Sequence, residues 1–183
     1  MFFFALVLTV LFFFPQLTQA HERRIIGQYQ IVVGNHSEPA FVFIPNAADI
    51  FITRIAGVDK PINAREGDIV DLELYVQFCG KNNFTCGNNW IKLEDPEQAR
   101  GTENRYNSYY LPTQPGTYAF RVKGLIADSD PEGAASLEIE EVFVCGEGSL
   151  SSDSQFGCVE KPLAVPGPAI PGSVRSGQIN PNL

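Results

Sequence analysis

Residues 67–78 read GDIVDLELYVQF, and this stretch decides the fold class. From Val70 to Phe78 every second side chain is apolar, and the side chains between them are polar or amphipathic. A period of two is typical of a strand that has one face on a core and the other in water. Because parallel strands are usually covered on both faces, the pattern favours an antiparallel sheet.

Similar alternation on both sides of this stretch predicts about seven short strands separated by Gly, Pro and Asn turns. We expect Tyr106–Leu111 to be an edge strand and Asp95–Arg100 to form one helical turn. This organisation favours a β-sandwich over a barrel or a mixed fold. The other expected strands are Ile26–Gly34, Asn46–Ile55, Trp90–Glu94, the strand that follows Pro115-Gly116, and Ser136–Cys145.

The stretch after Pro115-Gly116 makes the prediction more specific. Tyr118 lies at the start of a strand whose Tyr118, Phe120 and Val122 share one face. In immunoglobulin-like sandwiches, a tyrosine near the start of strand F closes a corner through a hydrogen bond to upstream backbone. Phe120 stands where such domains often carry a core cysteine. We therefore predict an all-β, immunoglobulin-like antiparallel sandwich.

The first twenty residues have the composition of a secretory signal peptide. They carry no charge, contain a short apolar run and end in Thr18-Gln19-Ala20, a small-x-small cleavage site. The run is shorter than a membrane span requires, which disfavours an uncleaved anchor. We predict cleavage after Ala20, a folded domain over 21–160 and a flexible Pro- and Gly-rich tail over 161–183. The protein would then be secreted, or periplasmic in a bacterial host, without a membrane span.

Composition and cysteine count narrow the possible partners. The net charge of −8 disfavours nucleic acid and anionic membranes, which bind clusters of Lys and Arg. In an exported protein, four cysteines predict two disulfides. Three pairings are possible, and we favour Cys145 with Cys158, which leaves Cys79 with Cys86.

Four segments together resemble a family of uncharacterised exported proteins known mostly from bacteria. The segments read GQYQIVVGNHSEPAF, GDIVDLELYVQF, RYNSYYLPTQPGTYAFRVKG and VFVCGEGS with a following FGC. The resemblance extends from about Ile26 to Val159 and implies no activity, because that family has no established function. Its members often continue into a C-terminal transmembrane helix, which this sequence lacks.

His21 is the strongest candidate for a metal-binding residue. After cleavage, its α-amine and its ring nitrogen could chelate Cu(II) together, since copper prefers nitrogen ligands. N-terminal copper sites of this kind need a further histidine, and His36 is the other histidine of the chain, with Glu38 and Asp49 as weaker candidate ligands. The alternative is that His21 starts a frayed and solvated terminus.

The remaining motifs are weaker evidence for a functional site. Asn35 and Asn83 begin N-glycosylation sequons in expected loops. The acidic run 128–132 could bind Ca²⁺ or form a solvated turn. The segment 104–110, rich in Tyr and Asn, could be a binding surface or a strand with aromatic side chains packed beneath it.

The sequence contains no recognisable nucleophile, phosphate-binding or metalloprotease motif. We therefore expect a non-catalytic extracellular module that binds an unknown protein or small ligand, or serves a structural role, without a cofactor. A copper-handling protein that uses His21 is the first alternative, and an enzyme of unrecognised type is the second.

Overall fold

The structure of the protein is a computed structural model. It describes residues 21–81, 86–130, 135–146 and 156–162. The predicted signal peptide, Asn83 and the tail after Pro162 lie outside the described residues. The described residues form ten strands and one short 3₁₀ turn at Ala64–Glu66. The strands are β1 His21–Ile26, β2 Tyr29–Asn35, β3 Asn46–Arg54, β4 Lys60–Pro61, β5 Ile69–Gly80, β6 Ile91–Lys92, β7 Glu97–Gln98, β8 Arg105–Tyr110, β9 Thr117–Ala127 and β10 Leu137–Val144.

The strands form two antiparallel sheets that pack face to face. One sheet has the order β1-β2-β3-β8-β7, with β4 paired to β3, and the other has the order β10-β9-β5-β6. The successions β2-β3-β8-β7 and β10-β9-β5-β6 reproduce the A-B-E-D and G-F-C-C′ orders of an immunoglobulin-like sandwich. The predicted all-β sandwich is therefore confirmed, and β1 is an additional strand at the edge of the first sheet.

The core lies between the sheets and follows the alternation of the strands. On β5 the side chains of Leu72, Leu74 and Val76 are buried, as the opening stretch predicts. They face the inward side chains of the other sheet, including Tyr29, Ile31, Ile50 and Ile52, which are at most 1% exposed. Apolar burial on this scale is the main stabilising term of a small domain.

The predicted tyrosine corner is present. The hydroxyl oxygen of Tyr118 accepts hydrogen bonds from the backbone N–H groups of Thr113 and Gln114, at 3.3 and 3.2 Å. The Tyr118 ring lies 5.2 Å from that of Phe78, and Phe120 is fully buried. The corner fixes the connection between β8 and β9.

Three predicted elements are wrong in their details. The expected strand over 26–34 begins only at Tyr29, because Gly27, with φ of 58°, turns the chain between β1 and β2. The expected helical turn over 95–100 contains β7 instead. β8 is not an edge strand, because it pairs with β3 on one side and with β7 on the other.

The chain after β10 returns to close one end of the sandwich. Phe156 is 1% exposed and stacks on Phe120, with ring centroids 5.6 Å apart. Val159 forms a bridge with Gly116 and Glu160 forms one with Phe41. We call Phe156–Glu160 the end plug. It joins the β2–β3 loop to the corner that Tyr118 forms.

Candidate functional site

The pairing of the first sheet aligns four residues in one row. His21 is opposite Gly34, Gly34 is opposite Asp49, and Asp49 is opposite Asn107. Side chains in such a row point to the same face of a sheet. Because Ile50 and Ile52 face the core, the row lies on the outer face, where His21 and Asp49 are brought together from two distant parts of the sequence.

The side chain of Asp49 is fully buried and is surrounded by donors. Arg105 donates to both carboxylate oxygens of Asp49 from Nε and Nη2, each at 2.7 Å. His21 Nε2 lies 3.2 Å from Oδ2. The amide nitrogen of Asn107, in the orientation that satisfies both of its polar atoms, lies 2.7 Å from Oδ1. We call His21, His36, Asp49 and Arg105 the Asp49 cluster.

The electrostatics of this cluster keep Asp49 ionised. Burial raises the pKa of the Asp49 carboxyl, but hydrogen bonds from His21 and Arg105 and the charge of Arg105 outweigh burial and hold the pKa below its usual value. The same hydrogen bond raises the pKa of the Arg105 guanidinium. A buried carboxylate that binds a guanidinium through two parallel bonds is a strong and geometrically specific pair.

Both histidines belong to the Asp49 cluster, but through different partners. His36 Nδ1 lies 2.8 Å from Arg105 Nη2. Because a guanidinium can only donate, Nδ1 of His36 is the acceptor and the proton of the neutral ring is on Nε2. The His21 ring packs edge-on against Phe51, with centroids 5.5 Å apart, and the Arg105 guanidinium lies 5.3 Å from the same ring.

The prediction that the two histidines share a site is therefore met only in part. His21 contacts the Asp49 carboxylate directly, whereas His36 is joined to it only through Arg105, whose Nη2 donates to both. Among the described residues, no group of three or more His, Cys, Asp or Glu side chains is arranged to hold a metal ion.

Asn35 is not in a loop, contrary to the prediction that made it a glycosylation acceptor. It is the last residue of β2 and is 2% exposed. Its amide nitrogen donates to the carbonyl of Gly157 at 2.8 Å, and its Oδ1 accepts from Tyr110 at 2.6 Å. A glycan on this nitrogen would break the contact that holds the end plug. The structure therefore gives Asn35 a packing role.

A second charged cluster lies at the opposite end of β3. Lys60 Nζ contacts Asp68 at 3.3 Å and Asp128 at 2.5 Å, and Arg54 contacts Asp128 at 2.7 Å. The side chains of both aspartates are fully buried. Asp128 is the first residue of the acidic run, and its carboxylate is neutralised by two cations. The run therefore begins with a structural ion-pair network instead of a solvated turn.

Large apolar side chains are exposed at the end of the sandwich that the end plug closes. Phe43 is 70% exposed, Ile44 50%, Tyr109 66% and Leu111 53%. Phe43 N–H donates to the carbonyl of Pro112 at 2.8 Å, which places the β2–β3 loop beside Leu111. We call Phe43, Ile44, Tyr109 and Leu111 the apolar end patch. Of the tyrosines in 104–110, Tyr109 alone is exposed.

Phe43 also has an unusual backbone. Its φ is 60°, and it is the one residue other than glycine with a positive φ in the part of the chain that the structure describes. A bulky side chain in the left-handed region is a genuine outlier. The loop is held by hydrogen bonds of the neighbouring backbone, from Val42 to the carbonyl of Glu160 at 3.1 Å and from Ile44 to that of Phe41 at 3.3 Å.

Sequence reasoning did not identify Phe43, and it included Arg105 only as a member of the segment 104–110, without a role of its own. The unbroken apolar segment from Phe41 to Ile44, between Pro39 and Pro45, is the one signal that pointed to an apolar loop. Nothing in the local sequence pairs Arg105 with Asp49, because 56 positions separate them. Contacts of this length become visible only when the strands are paired.

The four cysteines form the two bonds that the sequence favours. Cys79 is bonded to Cys86 at the end of β5, and Cys145 is bonded to Cys158. The second bond attaches the end plug directly to the end of β10. It therefore stabilises the same end of the sandwich that carries the apolar end patch.

Comparison with protein-family models, with curated proteins and with solved structures found no match to this chain. The resemblance to exported proteins of unknown function therefore stays a prediction. Within the described ranges, no helix is long and apolar enough to cross a membrane.

Proposed function

We propose that this protein is a secreted, non-catalytic immunoglobulin-like module that binds a protein partner through its apolar end patch. The observation that carries the proposal is Phe43, which combines a strained backbone with an exposed aromatic side chain. Strained residues persist where the surrounding structure imposes them, and they are concentrated at functional sites. Aromatic side chains are also the commonest anchors of protein interfaces.

The loop geometry explains how the strain is maintained. Phe43 donates to Pro112, and the residues on either side of it are bonded to Phe41 and to the end plug. The end plug is attached by the Cys145–Cys158 disulfide. The backbone at Phe43 is therefore held by two other segments of the chain, the one at Pro112 and the end plug, and an anchor on a fixed backbone loses less entropy on binding.

The chemistry of the patch favours a protein surface with an apolar cavity as the partner. Phe43, Ile44 and Leu111 offer apolar area, and Tyr109 adds a ring with a polar hydroxyl. The net charge of −8 disfavours nucleic acid and anionic lipid. The non-catalytic part of the proposal is supported by the buried carboxylates Asp49 and Asp128, which are neutralised by arginine or lysine.

Two observations support secretion. Two disulfides are typical of proteins that fold in an oxidising compartment. The first twenty residues have the composition of a cleavable signal peptide. The resemblance to exported proteins points the same way, and a periplasmic location would follow in a bacterial host.

Site-specific photocrosslinking tests the proposal. A photoreactive phenylalanine analogue is introduced at position 43, and in a control protein at position 58. Val58 is the matched control because it is 82% exposed and follows β3, whereas Phe43 precedes it. We expect the analogue at position 43 to form one covalent adduct with a protein on cells of the source organism, and excess wild-type protein to compete it away. The same adducts from both positions, or none from position 43, would contradict the proposal.

A further inference from the structure

His21 is an ordered residue, contrary to the alternative of a frayed terminus. It is the first residue of β1 and pairs with Gly34 of β2. Its side chain is 23% exposed. The backbone nitrogen that cleavage after Ala20 would convert into an α-amine is therefore held at a defined place on the edge of the sheet.

The contacts of the His21 ring determine which of its nitrogens carries the proton. Nε2 lies 3.2 Å from Oδ2 of Asp49, an oxygen that also accepts from Arg105, so that Nε2 is the donor in the neutral ring. The lone pair is then on Nδ1. Nδ1 is the ring nitrogen that can close a six-membered chelate ring with the amine of the same residue. Phe51 packs against the ring and restricts its rotation further.

We propose that the mature protein binds one Cu(II) ion through the α-amine and Nδ1 of His21, with Asp49 as the carboxylate that orients the ring. The inference rests on the cleavage that is part of the proposed function. Copper(II) is the first-row divalent ion that binds nitrogen ligands most tightly. A carboxylate that accepts from the second ring nitrogen fixes the tautomer and raises the basicity of a metal-binding histidine.

The other members of the Asp49 cluster have supporting roles. His36 accepts from Arg105 through Nδ1 and is protonated on Nε2, so that it is not a ligand in this arrangement and instead helps to position Arg105. Arg105 holds Asp49 in place through two bonds. Glu38, the other carboxylate that the sequence offered as a ligand, accepts from the backbone N–H of Gly157 at 2.8 Å and so contacts the end plug. The proposed site therefore takes both of its nitrogen ligands from His21 and lacks the second histidine, His36, that the sequence analysis expected.

The experiment compares the mature secreted protein with a chain that retains Thr18-Gln19-Ala20 and with a free hexapeptide that has the sequence of 21–26. The mature N-terminus is sequenced first, and Cu(II) affinity is then measured by competition with a chelator of known affinity. We expect Kd below about 1 μM for the mature protein, at least tenfold tighter than for the peptide or the extended chain. The electron paramagnetic resonance spectrum should show nitrogen coordination.

Two variants test the role of Asp49. Asp49→Asn should reduce the affinity to that of the peptide, whereas Asp71→Asn, an exposed substitution outside the Asp49 cluster, should leave it unchanged. If Asp49→Asn does not fold, the comparison of the mature protein with the hexapeptide still shows whether the folded chain strengthens copper binding by His21. A mature protein that starts at His21 but binds no tighter than the peptide overturns the copper site and leaves the proposed function intact. A different mature N-terminus overturns the cleavage prediction together with the copper site.

Discussion

The strain at Phe43 can be tested by comparing glycine with alanine at that position. At an ordinary position, glycine is less stable than alanine by about 0.4–1 kcal/mol, because it adds entropy to the unfolded chain. At φ of 60°, alanine carries the left-handed penalty of about 1–2 kcal/mol, which glycine avoids. Both substitutions remove the same ring, so that its lost contacts cancel in the comparison. Phe43→Gly should therefore be more stable than Phe43→Ala by about 0.5–1 kcal/mol.

The measurement is urea unfolding of both variants, with Val58→Gly and Val58→Ala as the reference pair. Val58 is even more exposed than Phe43 and has no positive φ. At position 58 we expect the alanine variant to be more stable than the glycine variant, as at an ordinary position. At position 43 we expect the glycine variant to be the more stable of the two. If Phe43→Gly were less stable than Phe43→Ala, the backbone at this position would not be strained, and the observation that carries the proposed function would be lost.

Three further predictions concern the core and the buried charges. Tyr118→Ala should lower the free energy of unfolding by about 3–5 kcal/mol in denaturant titrations, and Tyr109→Ala should lower it by less than about 0.5 kcal/mol. The reason is that Tyr118 is 6% exposed and Tyr109 is 66% exposed. Equal losses from the two substitutions would contradict the assignment of Tyr118 to the inward face of β9. Burial raises the pKa of Asp68, but backbone hydrogen bonds outweigh it and lower the pKa to about 2. Its ionised form therefore contributes stability that is present above pH 4 and lost as the pH falls towards 2. Asp68→Asn should lower the free energy of unfolding by roughly 2 kcal/mol at pH 7 and by little at pH 2. Asp71→Asn, an exposed substitution, is the control and should cost less than about 0.5 kcal/mol at pH 7. Gly124→Ala should lower the free energy of unfolding by more than about 3 kcal/mol. The Cβ of the alanine would lie 2.0 Å from the carbonyl oxygen of Asp71, and the backbone at position 124 has a φ of 140°. A stable variant would show that β9 can move away from β5.

The fold class could be predicted from the sequence because its determinants are local. Alternation along β5 is a property of neighbouring residues, and it identifies the buried face without any knowledge of the other strands. The corner tyrosine, Tyr118, follows from a turn and a strand that are adjacent in the chain. The favoured pairing of Cys145 with Cys158 joins positions that are 13 residues apart. Each of these predictions depends on short-range geometry, which the sequence displays directly.

Strand order and the composition of the candidate sites required the tertiary structure. The turn at Gly27 adds a strand and orders His21, and the pairing of four strands brings His21, Asp49 and Arg105 together. Asn35 was expected in a loop but is buried, because its amide supports an end plug from the other end of the chain. Phe43 has its left-handed backbone because Pro112 and the end plug hold the loop around it. These features arise from contacts between distant segments, and local alternation carries no information about which distant segments meet.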